Sequence, residues 1–223
     1  FASSASVYGD TKNKKVSENM NLSPLHYYAF SKYIGEEIIK RYCKLNEINF
    51  YILRLFNIYG VKSNAVVAKF IAQYLQKKPI TIYGNGKQSR DFVHVNDLID
   101  IINKLINKNF TSNIFNVGSS NSIQINQLKS FISKSHKKVH LNKRFDDIEK
   151  SIANISKIKK ILKWHPKIKF NNGINDMIKK DFSRLIRIKL ESIKDQKKLI
   201  KFFNKKKWKF LVMMVLEIFT LKV

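Results

Sequence analysis

The chain has 223 residues, 44% of them hydrophobic and 12% aromatic, with only 7 Gly and 3 Pro. That supplies a substantial core for one large domain or two small ones and excludes a fibrous or disordered chain. Forty-three Lys and Arg against 16 Asp and Glu give +27, yet the lysines are spread over nearly every segment without a basic stripe of stacking aromatics, so nucleic acid is not an expected partner.

In chain order, the opening FASSASVYG reads as the end of a buried strand running into a loop. It lacks the basic, apolar and cleavage regions of a signal peptide, and the beginning of the protein is expected upstream. Residues 10–22 read as a loop, and a helix is expected from Ser23-Pro24, with proline in its first turn. Ile34, Ile38, Ile39 and Tyr42 continue it at helical spacing. The lone cysteine, Cys43, falls in this stretch; it excludes an internal disulfide, reads as a buried structural thiol, and suits a reducing, cytoplasmic compartment.

A short run at 50–53 reads as a strand buried on both faces. A helix over 66–75, a strand over 80–83, a turn at Gly84 and Gly86, a helix over 97–105, a strand over 114–117 and a helix over 125–133 follow. Strands alternating with helices indicate an α/β fold. His94 reads as a packed strand histidine with no second ligand at metal-binding spacing, so no metal is expected. Composition changes near Asp181. The tail carries Lys205-Lys206-Lys207-Trp208-Lys209 and then FLVMMVLEIFTL, an apolar run too short to span a bilayer but compatible with an interfacial helix.

Tyr28 and Lys32 are four residues apart in the first helix and therefore share one face. Tyrosine, with an ordinary pKa of about 10, is a poor base at neutral pH, and a neighbouring ammonium favours the phenolate. Tyr27 has Ser31 at the corresponding position, which makes Tyr28 the better base. Alone, such a pair is usually two surface neighbours.

Five ordered blocks give it context: SSASVYG followed by P-x-x-x-Y-x-x-S-K, RLFNIYG at 54–60, GNGKQSRDFVHVNDL at 84–98, FNVGSS at 115–120, and 144–164. Over residues 1 to about 175 the chain resembles the extended short-chain dehydrogenase/reductase family, in particular the NAD-dependent epimerases and dehydratases of nucleotide sugars, with the UDP-glucose 4-epimerase branch nearest. The resemblance implies the C-terminal part of a Rossmann-like, doubly wound parallel sheet with a small α/β substrate-binding lobe. Residues 1–60 would belong to the cofactor domain, 61–181 mainly to the substrate lobe, and 182–223 to a tail of unassigned role.

The same resemblance implies NAD as cofactor, a UDP-sugar as substrate and a homodimer. Ser4, Tyr28 and Lys32 would be catalytic, with Ser4 relaying the proton of the sugar 4-hydroxyl, Tyr28 the general base and Lys32 holding the nicotinamide ribose. Phe56 would lie against the nicotinamide. Asn57 would bond the sugar nucleotide, Thr81 and Tyr83 would border the uracil, Arg90 and Arg144 would grip the diphosphate, and Asp147 would accept from the ribose. Asn116 and Asp97 are expected to be structural, as a strand-end hydrogen bonder and a helix cap.

Three departures qualify this. The seven glycines nowhere form the family's Gly-x-x-Gly-x-x-Gly, which holds the cofactor pyrophosphate at a helix N-terminus. Ala5 and Ser6 stand where dehydratases of this family carry Asp-Glu, which favours epimerisation over elimination of water. Ser151 stands where some 4-epimerases have a bulky tyrosine, leaving room for an N-acetyl group. The alternatives are a reductase, decarboxylase or dehydratase of the same family, or a non-catalytic substrate-lobe remnant.

Overall fold

The computed structural model of the protein describes residues 1–12, 14–61, 63, 65–107, 111–143 and 148–191, with side chains as far as Ser183. Contacts divide the chain into Phe1–Lys179 and Lys180–Val223; of the second unit, only the end of one helix is described. Among the described residues no helix is long and apolar enough to cross a membrane. The tail at 205–223 lies outside them.

Strands β1 (Ala2–Ser4), β2 (Lys15–Val16), β3 (Tyr51–Leu55), β4 (Asn57–Tyr59) and β5 (Ile80–Tyr83) occupy the first part of the chain, with helices α1 (Tyr27–Leu45) and α2 (Val66–Leu75) between them. Then come β6 (Ser89–His94), α3 (Val95–Ile106), β7 (Asn113–Val117), β8 (Ser122–Gln124), α4 (Ile125–Ile132), β9 (Lys138–Leu141), β10 (Lys150–Ala153), α5 (Ser156–Leu162) and α6 (Phe170–Glu191). The expected α/β fold with parallel sheets is what the chain forms.

One sheet runs β1-β3-β7 and is parallel throughout. Strand β3 is its centre, with Ile52 and Leu53, which point to opposite faces, both buried, as in a strand covered on both faces. Helix α1 supplies the crossover that two parallel neighbours require. A second sheet runs β2-β10-β6-β4, with β8 antiparallel to β6, and β5 pairs with β9. Val7, Leu53, Phe115, Val117 and Trp164 belong to one apolar cluster; Phe70, Ile71, Ile82, Leu128 and Met177 belong to the other.

Two local expectations are corrected. Helix α1 starts at Tyr27, not at Ser23-Pro24, because His26 caps it: its Nδ1 accepts the Ala29 N–H at 3.2 Å. The Ser23 N–H is committed elsewhere, donating to the Val7 carbonyl at 3.0 Å. This docks 23–24 against Gly9, whose φ of +68° and whose contact with the Ser23 carbonyl leave no room for a Cβ. The cap of α3 is His94, not Asp97. Asp97 is buried and accepts from the Lys167 and Ile168 N–H groups at 2.9 and 3.2 Å, a structural role of a different kind. His94 is packed as expected, edge-on to Tyr59 at 5.1 Å.

Candidate active site

Parallel strands present their carboxyl ends as a site edge, and here β1 ends at Ser4 beside Leu55, its register partner at the end of β3. Ser4 caps a 3₁₀ turn over Ala5–Tyr8, its Oγ accepting from the Ser6 N–H at 3.2 Å and the Ser6 hydroxyl at 2.9 Å. A cavity of about 220 Å³ opens there, and its walls include Ser4, His26, Phe56, Asn57, Arg90 and Ser151. A neighbouring cavity of about 480 Å³ is lined by Asn57, Lys69, Gln73, Thr81, Tyr83 and Arg90, among others. The two meet at Asn57 and Arg90. No Asp or Glu lines either among the described residues, whereas Lys69, Arg90 and Lys150 do, a setting that favours an anionic ligand.

Strand pairing explains why these residues converge. Asn57 pairs with Phe92 across β4 and β6, and its Nδ2 donates to the Asp91 carbonyl at 3.1 Å. Ser151 pairs with Arg90 across β10 and β6. Asp91, on β6 between them, is fully buried and accepts four hydrogen bonds: the Ser119 N–H and hydroxyl at 2.6 Å each, the Ser120 N–H at 2.9 Å and the Ala153 N–H at 3.0 Å. Burial pushes its carboxyl above the usual range, and those donors offset part of the push. Gly118 permits this approach, since a Cβ there would lie 2.6 Å from the Ala153 Cβ and 2.8 Å from Asp91 Oδ2.

Helix α1 is fixed by a buried ion pair. Arg54 and Glu36 are 2% and 0% exposed, with Arg54 Nη2 on Glu36 Oε2 at 2.7 Å and Nε on both carboxylate oxygens. Arg54 Nη1 also donates to the Tyr8 hydroxyl at 3.0 Å, which donates to Asn116 Oδ1 at 2.7 Å; Asn116 Nδ2 donates to the Val16 carbonyl at 2.9 Å. Asn116 is thus structural, as expected. Burial pushes the Tyr8 phenol up to about 12. Burial pulls Arg54 down, but Glu36 and Tyr8 more than restore it. Ser3, next to Ser4, donates to Glu36, so the network joins β1, α1, β3 and β7.

On the flank of α1 lie Tyr28 and Lys32. Tyr28 is 56% exposed, its ring stacked on His26 with centroids 6.1 Å apart. The Lys32 ammonium lies 5.8 Å from the Tyr28 ring centroid and donates to the Ala2 carbonyl at 2.9 Å. The expected pair is therefore adjacent, and His26 links it to the cavity wall at Ser4.

Of the expected site residues, Ser4, Phe56, Asn57 and Arg90 line the smaller cavity and Thr81 and Tyr83 the larger. Arg144 and Asp147 lie outside the described residues. Sequence reasoning missed Lys69 and Gln73. Gln73 receives the Thr81 N–H at 3.1 Å and donates to its hydroxyl at 2.9 Å, a pairing whose only sequence signal is a polar residue in an apolar helix. It also missed His26, which stands beside the expected base.

A profile of the NAD-dependent epimerase/dehydratase family matches residues 1–118. Over 185 residues the chain is 35% identical to the Bacillus subtilis (strain 168) protein named uncharacterized UDP-glucose epimerase YtcB, an alignment that covers 80% of this chain and 58% of that relative. The solved UDP-N-acetylglucosamine 4-epimerase of Methanobrevibacter ruminantium M1, in complex with UDP-N-acetylmuramic acid, superposes with a TM-score of 0.77 at 30% identity, covering 82% of this chain and 62% of that one. The Bacillus cereus UDP-glucuronic acid 4-epimerase, solved with UDP-glucuronic acid and NAD, gives 0.74 at 30% identity, over 80% and 60% of the two chains. The chain thus spans little more than half the length of its relatives. The profile match over more than half of the chain, with these identities, places it: the chain belongs to the NAD-dependent epimerase/dehydratase family.

Proposed function

We propose that this chain is the catalytic and substrate-binding part of an NAD-dependent UDP-sugar 4-epimerase. One observation carries the reading: Ser4, Phe56, Asn57, Arg90 and Ser151 meet on one cavity, which adjoins the one lined by Thr81 and Tyr83, and no described carboxylate lines either. In this reading residues 1–60 belong to the cofactor domain and 61–181 mainly to the substrate lobe.

The residues present fit the nicotinamide end of the cofactor, because buried Phe56 and half-buried Leu55 stand beside the polar Ser4 at the carboxyl edge of the sheet. Bound NAD would accept a hydride from the sugar C4 and return it. Tyr28 takes the proton of the sugar 4-hydroxyl, with Ser4 hydrogen-bonded in the relay, and gives it back as the hydride returns. Lys32 provides positive charge beside the phenol and a donor for the nicotinamide ribose. Arg90, with Arg144, neutralises the diphosphate; Asn57 bonds the sugar nucleotide; Thr81 and Tyr83 border the uracil; Asp147 accepts from the ribose.

Ala5 and Ser6 support epimerisation, since no described acid beside Ser4 is placed to drive elimination of water. The serine at 151, on the wall of the sugar-side cavity, leaves space for an N-acetyl group, so UDP-N-acetylglucosamine is the proposed substrate and UDP-glucose the comparison. The acting form is a cytoplasmic homodimer, supported by an exposed apolar stripe along α1. The test is interconversion of both UDP-sugars by the full-length protein with NAD. Tyr28→Phe should lower kcat by about 10²–10⁴-fold with substrate KM little changed; a variant that turns over normally removes this reading.

A further inference from the structure

Two helices in this chain begin with the same uncommon cap. Ser, Thr, Asp and Asn are the usual N-cap residues, but here His26 Nδ1 accepts the Ala29 N–H and His94 Nδ1 accepts the Asn96 N–H at 3.1 Å. A ring nitrogen that accepts from a backbone N–H holds no proton, so each imidazole is the neutral Nε2–H tautomer. Their surroundings differ. His94 is buried and edge-on to Tyr59, and it lines neither site cavity. His26 is half-buried on the wall of the Ser4 cavity, with its ring inclined by 19° to the Tyr28 ring.

Tyr28 is the second residue of α1 and more than half exposed, so little packing fixes its phenol. Among the described residues, the His26 ring stacks on it and the Lys32 ammonium lies 5.8 Å from its centroid. A centroid separation of 6.1 Å at 19° is within the range of offset stacking. Such a stack favours one rotamer of an exposed ring, and a base misplaced by about 1 Å costs up to about 10²-fold in rate.

We propose that His26 is a positioning residue for Tyr28, its ring, on the wall of the Ser4 cavity, stacking on the phenol ring while its Nδ1 caps the helix that carries it. This rests on the reading of Tyr28 as the base. The two roles separate by substitution in the full-length enzyme. His26→Asn keeps a capping oxygen without a ring; His26→Phe keeps a ring without a cap.

His26→Asn should retain the wild-type melting temperature yet lose about tenfold in kcat, at an unchanged KM for the UDP-sugar. His26→Phe should melt several degrees lower but keep kcat within about threefold. The control, His94→Asn, should leave kcat unchanged. Equal or reversed kcat losses in the two His26 variants would overturn the proposal. Independently of turnover, ¹⁵N NMR should show the Nε2–H tautomer of His26, and the Nδ1–H tautomer would overturn the cap. Tyr28→Phe, assayed in parallel, separates the failures: if it retains turnover the base assignment fails, and if it is inactive while the Asn variant outperforms the Phe variant only the positioning role fails.

Discussion

Helix α1 carries opposite designs on opposite sides. At about 100° per residue, Ala29, Glu36 and Cys43 share one face, and all three are buried. Tyr27, Phe30, Ile34, Ile38 and Tyr42 share the other, and all five are exposed, Tyr27 at 96%. Tyr28 and Lys32 fall on the flank between. The inner face is held by a buried ion pair whose atoms are partnered; the outer face is largely apolar and exposed among the described residues. A helix apolar on two faces needs burial on both. The inner face, not the proposed catalytic pair, fixes the helix, which leaves the flank free to stay exposed.

The sharpest way to break that comparison is on the inner face. Glu36→Ala leaves the Arg54 guanidinium buried without its counter-charge, which should cost about 3–5 kcal/mol of folding stability, a large share of the total for a domain of this size. Replacing both partners, Glu36→Leu with Arg54→Met, should recover much of the loss, because the desolvation penalty disappears with the charges. Urea unfolding of both variants measures this. A single-variant loss below about 1 kcal/mol would mean that the pair behaves as a surface one and does not anchor α1.

A smaller effect is expected one step along the network. Tyr8→Phe removes the hydroxyl that bridges Arg54 and Asn116, leaving Asn116 Oδ1 buried without its donor, at about 1–3 kcal/mol near neutral pH. The pH dependence is a second handle. The folded phenol titrates above its unfolded value, so its contribution is fully present below pH 10 and is lost as pH rises from 10 through about 12. The stability difference between wild type and Tyr8→Phe should therefore shrink across that window. A difference that grows there would contradict burial as the cause of the raised pKa.

How far the sequence foretold this depends on the range of the interaction. The helix over 66–75 and the strand over 80–83 fall where periodicity predicts them, because their signals are local. Ser4, Asn57 and Arg90 were legible within ordered motif blocks, Thr81 and Tyr83 only through the resemblance, and the structure brings all five to two adjoining cavities. What was not legible is long-range. Asp91 is bonded by groups 28, 29 and 62 residues away, so nothing near it in sequence reports that it organises the Gly118–Ser120 loop. The start of α1 was misplaced because Pro24 is an ordinary first-turn signal, whereas the real stop is a backbone bond from Ser23 to Val7. His26 was passed over because a histidine cap has no sequence signature.

The smallest effect on folding is expected on the outer face, where it carries the most information about assembly. Ile38 is 61% exposed, so Ile38→Lys should change the stability of one copy by no more than about 0.5 kcal/mol. If a second copy covers the stripe, the same lysine is placed against apolar side chains at the two-fold contact, and each copy contributes it, so the penalty is counted twice at one isologous interface. Sedimentation velocity at tens of micromolar should then show a dimer for the wild-type protein and a monomer for the variant, with unchanged circular dichroism. A wild-type protein that sediments as a monomer removes the dimer and leaves the stripe to another partner. A variant that stays dimeric moves the interface off this face while leaving the inner-face anchor untouched, since Ile38 lies across the helix from Glu36 and shares none of its contacts.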